Sequence, residues 1–355
     1  MDKRPHLLVS ISAHGFGHIA QTAPVLNVLR QRIPSLRLTI RSTAPRAHLR
    51  SRIHGDFDIL PLAGDIGMLM SSALDVRVAE SAATYRALHD TWETQVADEA
   101  RLLREIAPDF VLSNVGYLPL AGAQQAGIPC AAMCSLNWAD IYAHYCRDAA
   151  ITAQIRSAYA GAEAFLRLTP GMAMDDLPNR IVIEPVAEVG RNRRDEINQR
   201  LGLSHAEKLV LVSLGGISSR LPIESWPRSL SVRWLVQADW RAEHPDAVVL
   251  ESLQMEFSDL LASSDAFICK PGYGSFAEAA CSGVPVLYTN RPDWPESPAL
   301  TDWLKQHGLC REVNRPALES GDFAAELQAM WHMARQQPVK PSGVAEAAEW
   351  LAGQL

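Results

Sequence analysis

Short apolar runs of strand length recur along the chain, each closed by a turn rich in glycine or small polar residues and followed by a segment with helical spacing. Leu7-Leu8-Val9-Ser10-Ile11 reads as a buried first strand and Ser12 to His18 as a loop. Pro24 to Gln31 reads as part of an amphipathic helix that turns Val25, Leu26, Val28 and Leu29 inward, and Leu36 to Ile40 supplies the second strand. A strand-helix-strand opening of this kind predicts a parallel sheet, whose ligands sit at the carboxyl ends of the strands. The loop at 12–18 is at such an end.

The stretch 59–84 is mixed and reads as a long loop running into helix, and Tyr85 to Ile106 as one long charged helix. Pro108 to Asn114 is the next strand, Tyr117 to about Ala126 a helix, and Ile128 to Met133 a further strand. That strand leads into Ser135 to Tyr142, where polar and aromatic side chains converge. Periodicity then weakens around Pro170, Gly171, Pro178 and Pro185, which places a domain connection there. A second sheet begins beyond it. Asp195 to Leu203 reads as a helix, and Leu209 to Leu214 as a strand closed by Gly215-Gly216. Strands follow at Ala247 to Leu250, 266–269 and 286–288, and the last helices span Phe323 to Ala334 and Val344 to Leu351. The expected organisation is an N-terminal domain over 1–170, a linker over 171–190, a C-terminal domain over 191–335, and a helical tail over 336–355 that packs back on the first domain.

Composition narrows the function classes. A chain of 355 residues is comfortable for two domains, each able to bury its own core. The formal charge of −7, with no basic stripe to offset it, argues against a nucleic-acid partner. Six cysteines without paired spacing read as reduced, buried small hydrophobes. The apolar run at Leu7 to Ile11 is too short for the core of a signal peptide or a membrane span, so a cytoplasmic location is expected. Peripheral membrane contact through an exposed apolar patch, and the oligomeric state, are not readable.

Two loops carry candidate chemistry. In the stretch from Cys269 to Pro285, Gly272 and Gly274 permit a tight turn and close approach of a ligand. Ser275 followed three residues later by Glu278 reads as a capping box at a helix N-terminus. Such an end presents unpaired N–H groups and partial positive charge, a ready site for a diphosphate. Glu278 divides two ways, between a structural cap and a carboxylate that holds ribose hydroxyls. The other loop is Ser12-Ala13-His14-Gly15-Phe16-Gly17-His18, in which a histidine can serve as general base near neutral pH; the alternative is a surface loop whose histidines bond only to backbone. No HExxH or third ligand is evident, so no metal site is expected.

The box Lys270-x-Gly272-Tyr273-Gly274-Ser275-x-x-Glu278-x4-Gly283-Val284-Pro285 resembles the donor-binding motif of the nucleotide-sugar glycosyltransferases of the GT-B fold, including the plant secondary-product enzymes and the MurG group. Gly15-Phe16-Gly17-His18 looks like their N-terminal glycine-histidine turn. Adding Asn137 to Tyr142 and Arg291-Pro292-Asp293-Trp294, the chain from about 8 to 312 is similar to the glycosyltransferase-like N-terminal half of plant L-arabinokinases, without a counterpart of their kinase half.

The resemblance implies an α/β fold of two doubly wound Rossmann-like domains facing across a cleft. It also implies a metal-independent inverting transfer from a nucleoside-diphosphate sugar to a small-molecule or glycan hydroxyl, with no cofactor beyond that co-substrate. Uridine is favoured by its frequency in the family. Ser275 and its neighbouring backbone would then hold the diphosphate, aided by Lys270 as it departs, Glu278 the ribose, Gln254 the nucleobase, and Asp293 and Glu296 the transferred sugar, with Tyr273, Gly215 and Gly216 also in the donor site. His18 is the matching base, with His14 in reserve. Many plant enzymes of the class set that histidine with an aspartate where this chain has Asn114. Either Asp140 substitutes, or the base is weaker, or transfer is lost. Asn114, Asn137 and Trp138 are expected in the acceptor-side wall. Two alternatives are a sugar-nucleotide-binding module without catalysis and, ranked lowest, a UDP-sugar epimerase.

Overall fold

The computed structural model describes residues 4–216, 220–228, 231–334 and 336–355, which fold as two parallel sheets belonging to two compact units. The first unit runs to Val186 and takes in two later pieces, Trp294–Glu296 and Ser342–Leu355; the second comprises Ala187–Asp293 and Ser297–Pro341. In chain order the first unit is built from β1 (His6–Ile11), α1 (Gly17–Arg32), β2 (Arg37–Arg41), α2 (Arg46–Arg52), β3 (Asp58–Leu60), α3 (Val78–His89) and α4 (Trp92–Ile106). It continues with β4 (Phe110–Asn114), α5 (Tyr117–Ala126), β5 (Cys130–Cys134), α6 (Trp138–Cys146), α7 (Ala149–Ala160), β6 (Ala164–Leu168) and β7 (Arg180–Ile183). The second holds α8 (Arg194–Leu201), β8 (Lys208–Val212), β9 (Val232–Val236), β10 (Ala247–Val249), α9 (Phe257–Ala262), β11 (Ala266–Cys269), α10 (Tyr273–Ser282) and β12 (Val286–Thr289). It ends with α11 (Ser297–His307), β13 (Cys310–Val313), α12 (Arg315–Ser320) and α13 (Ala324–His332), and α14 (Gly343–Ala352) belongs again to the first unit.

The strand orders are β3-β2-β1-β4-β5-β6-β7 and β10-β9-β8-β11-β12-β13. Each order reverses once, between β1 and β4 in the first sheet and between β8 and β11 in the second. Helices leave in opposite directions at such a point, so a crevice opens beyond the carboxyl ends of those two strands. The central strands explain why the sequence announces them: all of β1, β4 and β5 is buried, and strands covered on both faces need continuous apolar runs.

The edge strands are different. In β7 the apolar run is only Ile181-Val182-Ile183, set between Pro178 and Pro185 and with Ile181 and Val182 exposed, and in β13 Arg311 and Glu312 interrupt the run. β9 was hidden by Arg233 within its run. Because β7 pairs with β6 from Phe165–Arg180 to Leu168–Ile183, the expected linker at 171–190 contributes a strand to the first sheet, and the change of unit comes at Val186. The single helix expected over 85–106 is two, α3 and α4, parted at Asp90 and Thr91. There the rings of His89 and Trp92 stack at 5.0 Å and both lie against Tyr117, which anchors the junction of the two helices. Helix α1 begins at Gly17 and contains the expected stretch 24–31, so His18 is on its first turn and not in the loop before it.

Helix α14 presents Ala347, Ala348 and Leu351 to the interior and packs on α1 and β7. Its first residue must be small: a Cβ on Gly343 would stand 1.8 Å from the carbonyl oxygen of Glu184. Among the described residues no helix is long and apolar enough to cross a membrane. Leu351, fully buried, is expected to destabilise the first unit by about 2–5 kcal/mol when changed to alanine. Glu349→Ala, which removes only the exposed pair with Arg32, should change stability by less than about 1 kcal/mol. Urea midpoints of the two variants check the contrast, and equal midpoints would mean that α14 is not part of the first unit's folding core.

Candidate active site

At the reversal point of the first sheet, β1 and β4 end side by side, with Ile11 opposite Asn114. The backbone N–H of Ser12 donates to the Asn114 carbonyl at 2.7 Å, extending the pairing one step into the loop. Gly15, at φ +86°, then turns the chain into α1 in a conformation that a side chain would strain. The result brings His18 over the end of β4, where its Nδ1 is 2.7 Å from Asn114 Oδ1. The amide oxygen is an acceptor, so Nδ1 carries the proton and Nε2 keeps its lone pair. His18 is 4% exposed and Asn114 wholly buried, so the pair is rigidly held. Cys134 Sγ is 3.8 Å from the same Nδ1, its thiol pushed up by burial.

The carboxylate beside this histidine is Asp65, in the 59–84 stretch that reads as a long loop running into helix and from which no site residue is singled out. Asp65 Oδ1 accepts from Ser12 Oγ at 3.1 Å and Oδ2 from Trp138 Nε1 at 2.7 Å. Burial pushes its carboxyl above the ordinary range. A second proton on His18, the two hydrogen bonds and the charge of Arg41 oppose that shift.

Two glycines let the loop come this close. A Cβ on Gly64 would lie 2.1 Å from Ser10 Oγ, and one on Gly116 would lie 2.3 Å from the Gly64 carbonyl oxygen. Arg41, at the end of β2, donates to the Ala63 carbonyl at 2.7 Å and pairs with Glu99 in a buried ion pair, which pins the loop from the other side. The signal available in the sequence was Ala63-Gly64-Asp65 following a strand, a motif too short to single out.

The remaining residues chosen from sequence in this unit divide. Trp138 joins the site, fully buried, through Asp65. His14 serves as a packing face: its ring stacks on Trp294 at 5.7 Å and meets Trp138 edge-on at 5.2 Å. Asn137 caps α6, accepting from the Asp140 N–H at 2.8 Å, a contact worth about 1 kcal/mol. Asp140 bonds to Asn137 Nδ2 and pairs with Arg156 at 2.7 Å, and none of its hydrogen bonds goes to His18. The expectation that Asp140 stands in for the missing aspartate therefore does not match the geometry. Its place on α6 commits it to the cap and to α7. Glu296, expected among donor-sugar contacts, is buried in the first unit, where it accepts from Ser135 at 2.6 Å and from Trp294 at 3.2 Å. Phe16 lies 3.9 Å from the His48 ring, whose titration burial and Arg52 hold down at about 4.

In the second unit the reversal point lies between β8 and β11. Beyond β8, Gly215 sits at φ +84° with its N–H on Ser213 Oγ, and Gly216 is exposed. Beyond β11, Lys270 is half-buried and Gly272 caps α10, with no side-chain cap. That overturns the capping box. Ser275 is the third residue of the helix and Glu278 the sixth, 3% exposed, so neither occupies the position a box requires. The amides of Tyr273, Gly274 and Ser275 occupy the first turn, where helical N–H groups have no partner within the helix. Gln254 is exposed in the left-handed region, at φ +49°, where the short turn after β10 ends, and Asp293 is exposed in the loop after β12. Among the described residues no group of three or more His, Cys, Asp and Glu is placed to hold a metal ion.

Both sheets, with their reversal points, have the GT-B fold of nucleotide-sugar glycosyltransferases. The kitacinnamycin glycotransferase structure superposes with a TM-score of 0.61 at 17% identity, covering 99% of this chain and 95% of that one. UGT89C1 of Arabidopsis thaliana complexed with UDP gives 0.60 at 14% identity, covering 99% of both. A UDP-N-acetylglucosamine 2-epimerase gives 0.54 at 14% identity over 98% of this chain and 96% of that one. In sequence, the chain is 27% identical over 335 residues to an L-arabinokinase of Arabidopsis thaliana, matching 90% of this chain and 31% of that protein's length. No family model matches.

Because burial raises the Asp65 carboxyl, the folded state holds that proton more tightly than the unfolded one. Its contribution to stability is present below the ordinary value of 3.8 and is lost as pH rises through the folded value. Asp65→Asn is therefore expected to melt above the native protein at pH 7, with the gap closing as the pH falls toward 4. Thermal midpoints across that range test it, and a gap independent of pH would remove ionisation of Asp65 as its cause.

Proposed function

We propose that this protein transfers a sugar from a nucleoside-diphosphate sugar, with uridine the first nucleotide to test, to a hydroxyl acceptor with inversion at the anomeric carbon. The observation that carries the reading is His18 at the reversal point of the first sheet. Its Nδ1 is committed to Asn114, which leaves Nε2 to take a proton. In this mechanism the acceptor O–H gives its proton to Nε2 as the oxygen bonds to the anomeric carbon. The bond from that carbon to the diphosphate oxygen breaks, and the electron pair leaves with the nucleotide. Proton transfer of this kind contributes about 10²–10⁴-fold to rate.

Charge growing on the departing diphosphate would be met by the first turn of α10 and by Lys270, so the step needs no metal ion. Asp65 supports the reading, as a carboxylate near the imidazolium that forms. Glu278, Gln254 and Asp293 are assigned to ribose, nucleobase and sugar on the strength of the motif they share with the family. A binding module without turnover is the second reading, favoured by the neutral amide at Asn114.

Calorimetric titration with UDP, dTDP, GDP and ADP tests the donor half. One diphosphate is expected to bind in the micromolar range, and Glu278→Ala, verified as folded, to weaken it at least about tenfold, the loss of a charged hydrogen bond. His18→Ala should bind the same nucleotide as the native protein while losing about 10²–10⁴-fold in transfer. Unaltered turnover removes His18 from the mechanism. Binding without transfer or donor hydrolysis supports the module, and an epimeric sugar from donor alone supports the third class.

A further inference from the structure

The hydrogen bond between His18 and Asn114 is the first link of a buried chain. Asn114 Nδ2 donates to Gln21 Oε1 at 3.1 Å, Gln21 Nε2 donates to Ser135 Oγ at 2.8 Å, and Ser135 Oγ donates to Glu296 Oε1 at 2.6 Å. Glu296 Oε2 accepts from Trp294 Nε1. All five residues from His18 to Glu296 are at most 5% exposed, and all belong to the first unit.

The far end decides the direction of every link. An ionised carboxylate only accepts, so Ser135 must give its one hydroxyl proton to Glu296. The Ser135 oxygen must then accept from Gln21, which turns the amide NH₂ of Gln21 toward it and the amide oxygen toward Asn114. Asn114 is oriented in turn, NH₂ to Gln21 and oxygen to His18, and the only partner that satisfies this oxygen is an Nδ1–H. We propose that Glu296 is a positioning residue for His18: through Ser135, Gln21 and Asn114 its carboxylate fixes the Nδ1–H tautomer and keeps Nε2 as the base. A carboxylate bonded directly to Nδ1 would do the same in one step. Here three neutral groups transmit the polarity, each strengthening the next.

The other groups around His18 act differently. Asp65, from the loop after β3, interacts with it electrostatically without being a link of the chain; Cys134 on β5 lies 3.8 Å from Nδ1, and Trp138 on α6 packs against the ring. Charge near the imidazole thus comes from one carboxylate and tautomer control from another.

The inference rests on His18 being the base, yet its test needs no donor, acceptor or turnover, so its failure is distinguishable from failure of the proposed function. Protein labelled with ¹⁵N-histidine reports the tautomer of each neutral ring through two-bond ¹H–¹⁵N correlations, with His18 assigned by the signal lost in His18→Gln. The native protein is expected to show His18 as Nδ1–H. Glu296→Gln supplies a terminus that can donate as well as accept, and Ser135→Ala cuts the chain. Each should lower the ratio of Nδ1–H to Nε2–H about tenfold, the equivalent of one net hydrogen bond. The double variant should go no further than either single one.

Asp65→Asn, which removes a charge but no link, should leave the ratio in place. Where transfer is measurable, kcat should fall in Glu296→Gln and Ser135→Ala with the donor KM unchanged. A native His18 in the Nε2–H form, an unchanged ratio in both variants, or an equal change in Asp65→Asn overturns the proposal. Should Glu296→Gln fail to fold, Ser135→Ala decides alone.

Discussion

The parallel pairing of β1 with β4 is the constraint on which the first unit's site depends. Because Ile11 lies opposite Asn114, the loop after β1 starts level with the side chain that ends β4. Ser12 takes the Asn114 carbonyl, and His18, one turn into α1, takes its amide oxygen. A one-residue slip would move every side chain of the strand to the other face and part the histidine from its anchor. The apolar continuity of both strands, buried on each face, is what makes such a slip costly.

Around this pair the protein distributes negative charge in an uncommon way. Among the described residues no carboxylate is hydrogen-bonded to the imidazole; Asp65 and Glu296 act from separate segments, one through space and one through a buried hydrogen-bonded chain. Buried carboxylates are tolerated only when their oxygens are satisfied, and both are, by Ser12 and Trp138 in one case and by Ser135 and Trp294 in the other. Two tryptophan N–H groups thus hold the two carboxylates. His14, placed between Trp138 and Trp294, keeps the indoles apart and fills the space between them.

The second unit repeats the topology with different chemistry at its reversal point. There the chain offers glycines, helical amides and Lys270 in place of a histidine held by an amide. Gly272 as N-cap leaves the first turn of α10 without side-chain capping, which suits a helix end that accepts an external anion. Glu278 does not act as a cap because it is three residues too deep in the helix, and its burial sets it within the α10 packing.

The sequence alone determined the class of fold, the two sheets, the central strands and the loops at both reversal points. Each of these rests on local signals: apolar runs that buried strands require, and glycines that tight turns require. It also placed His18, Asn114 and Trp138 among the candidates. What only the tertiary structure decided is which groups act on them. Asp65 and Gln21 belong to no motif, the three apolar residues of β7 lie in a proline-rich stretch that reads as a connection, and charges interrupt β13. Asp140, Asn137 and Glu296 were assigned by position in the chain, whereas their bonds are made to Arg156, to a helix end and to Ser135. The reason is physical: hydrophobic periodicity reports a residue's own burial, while hydrogen-bond partners 93, 114 and 161 positions apart are set by how strands and loops stack. No local pattern encodes them.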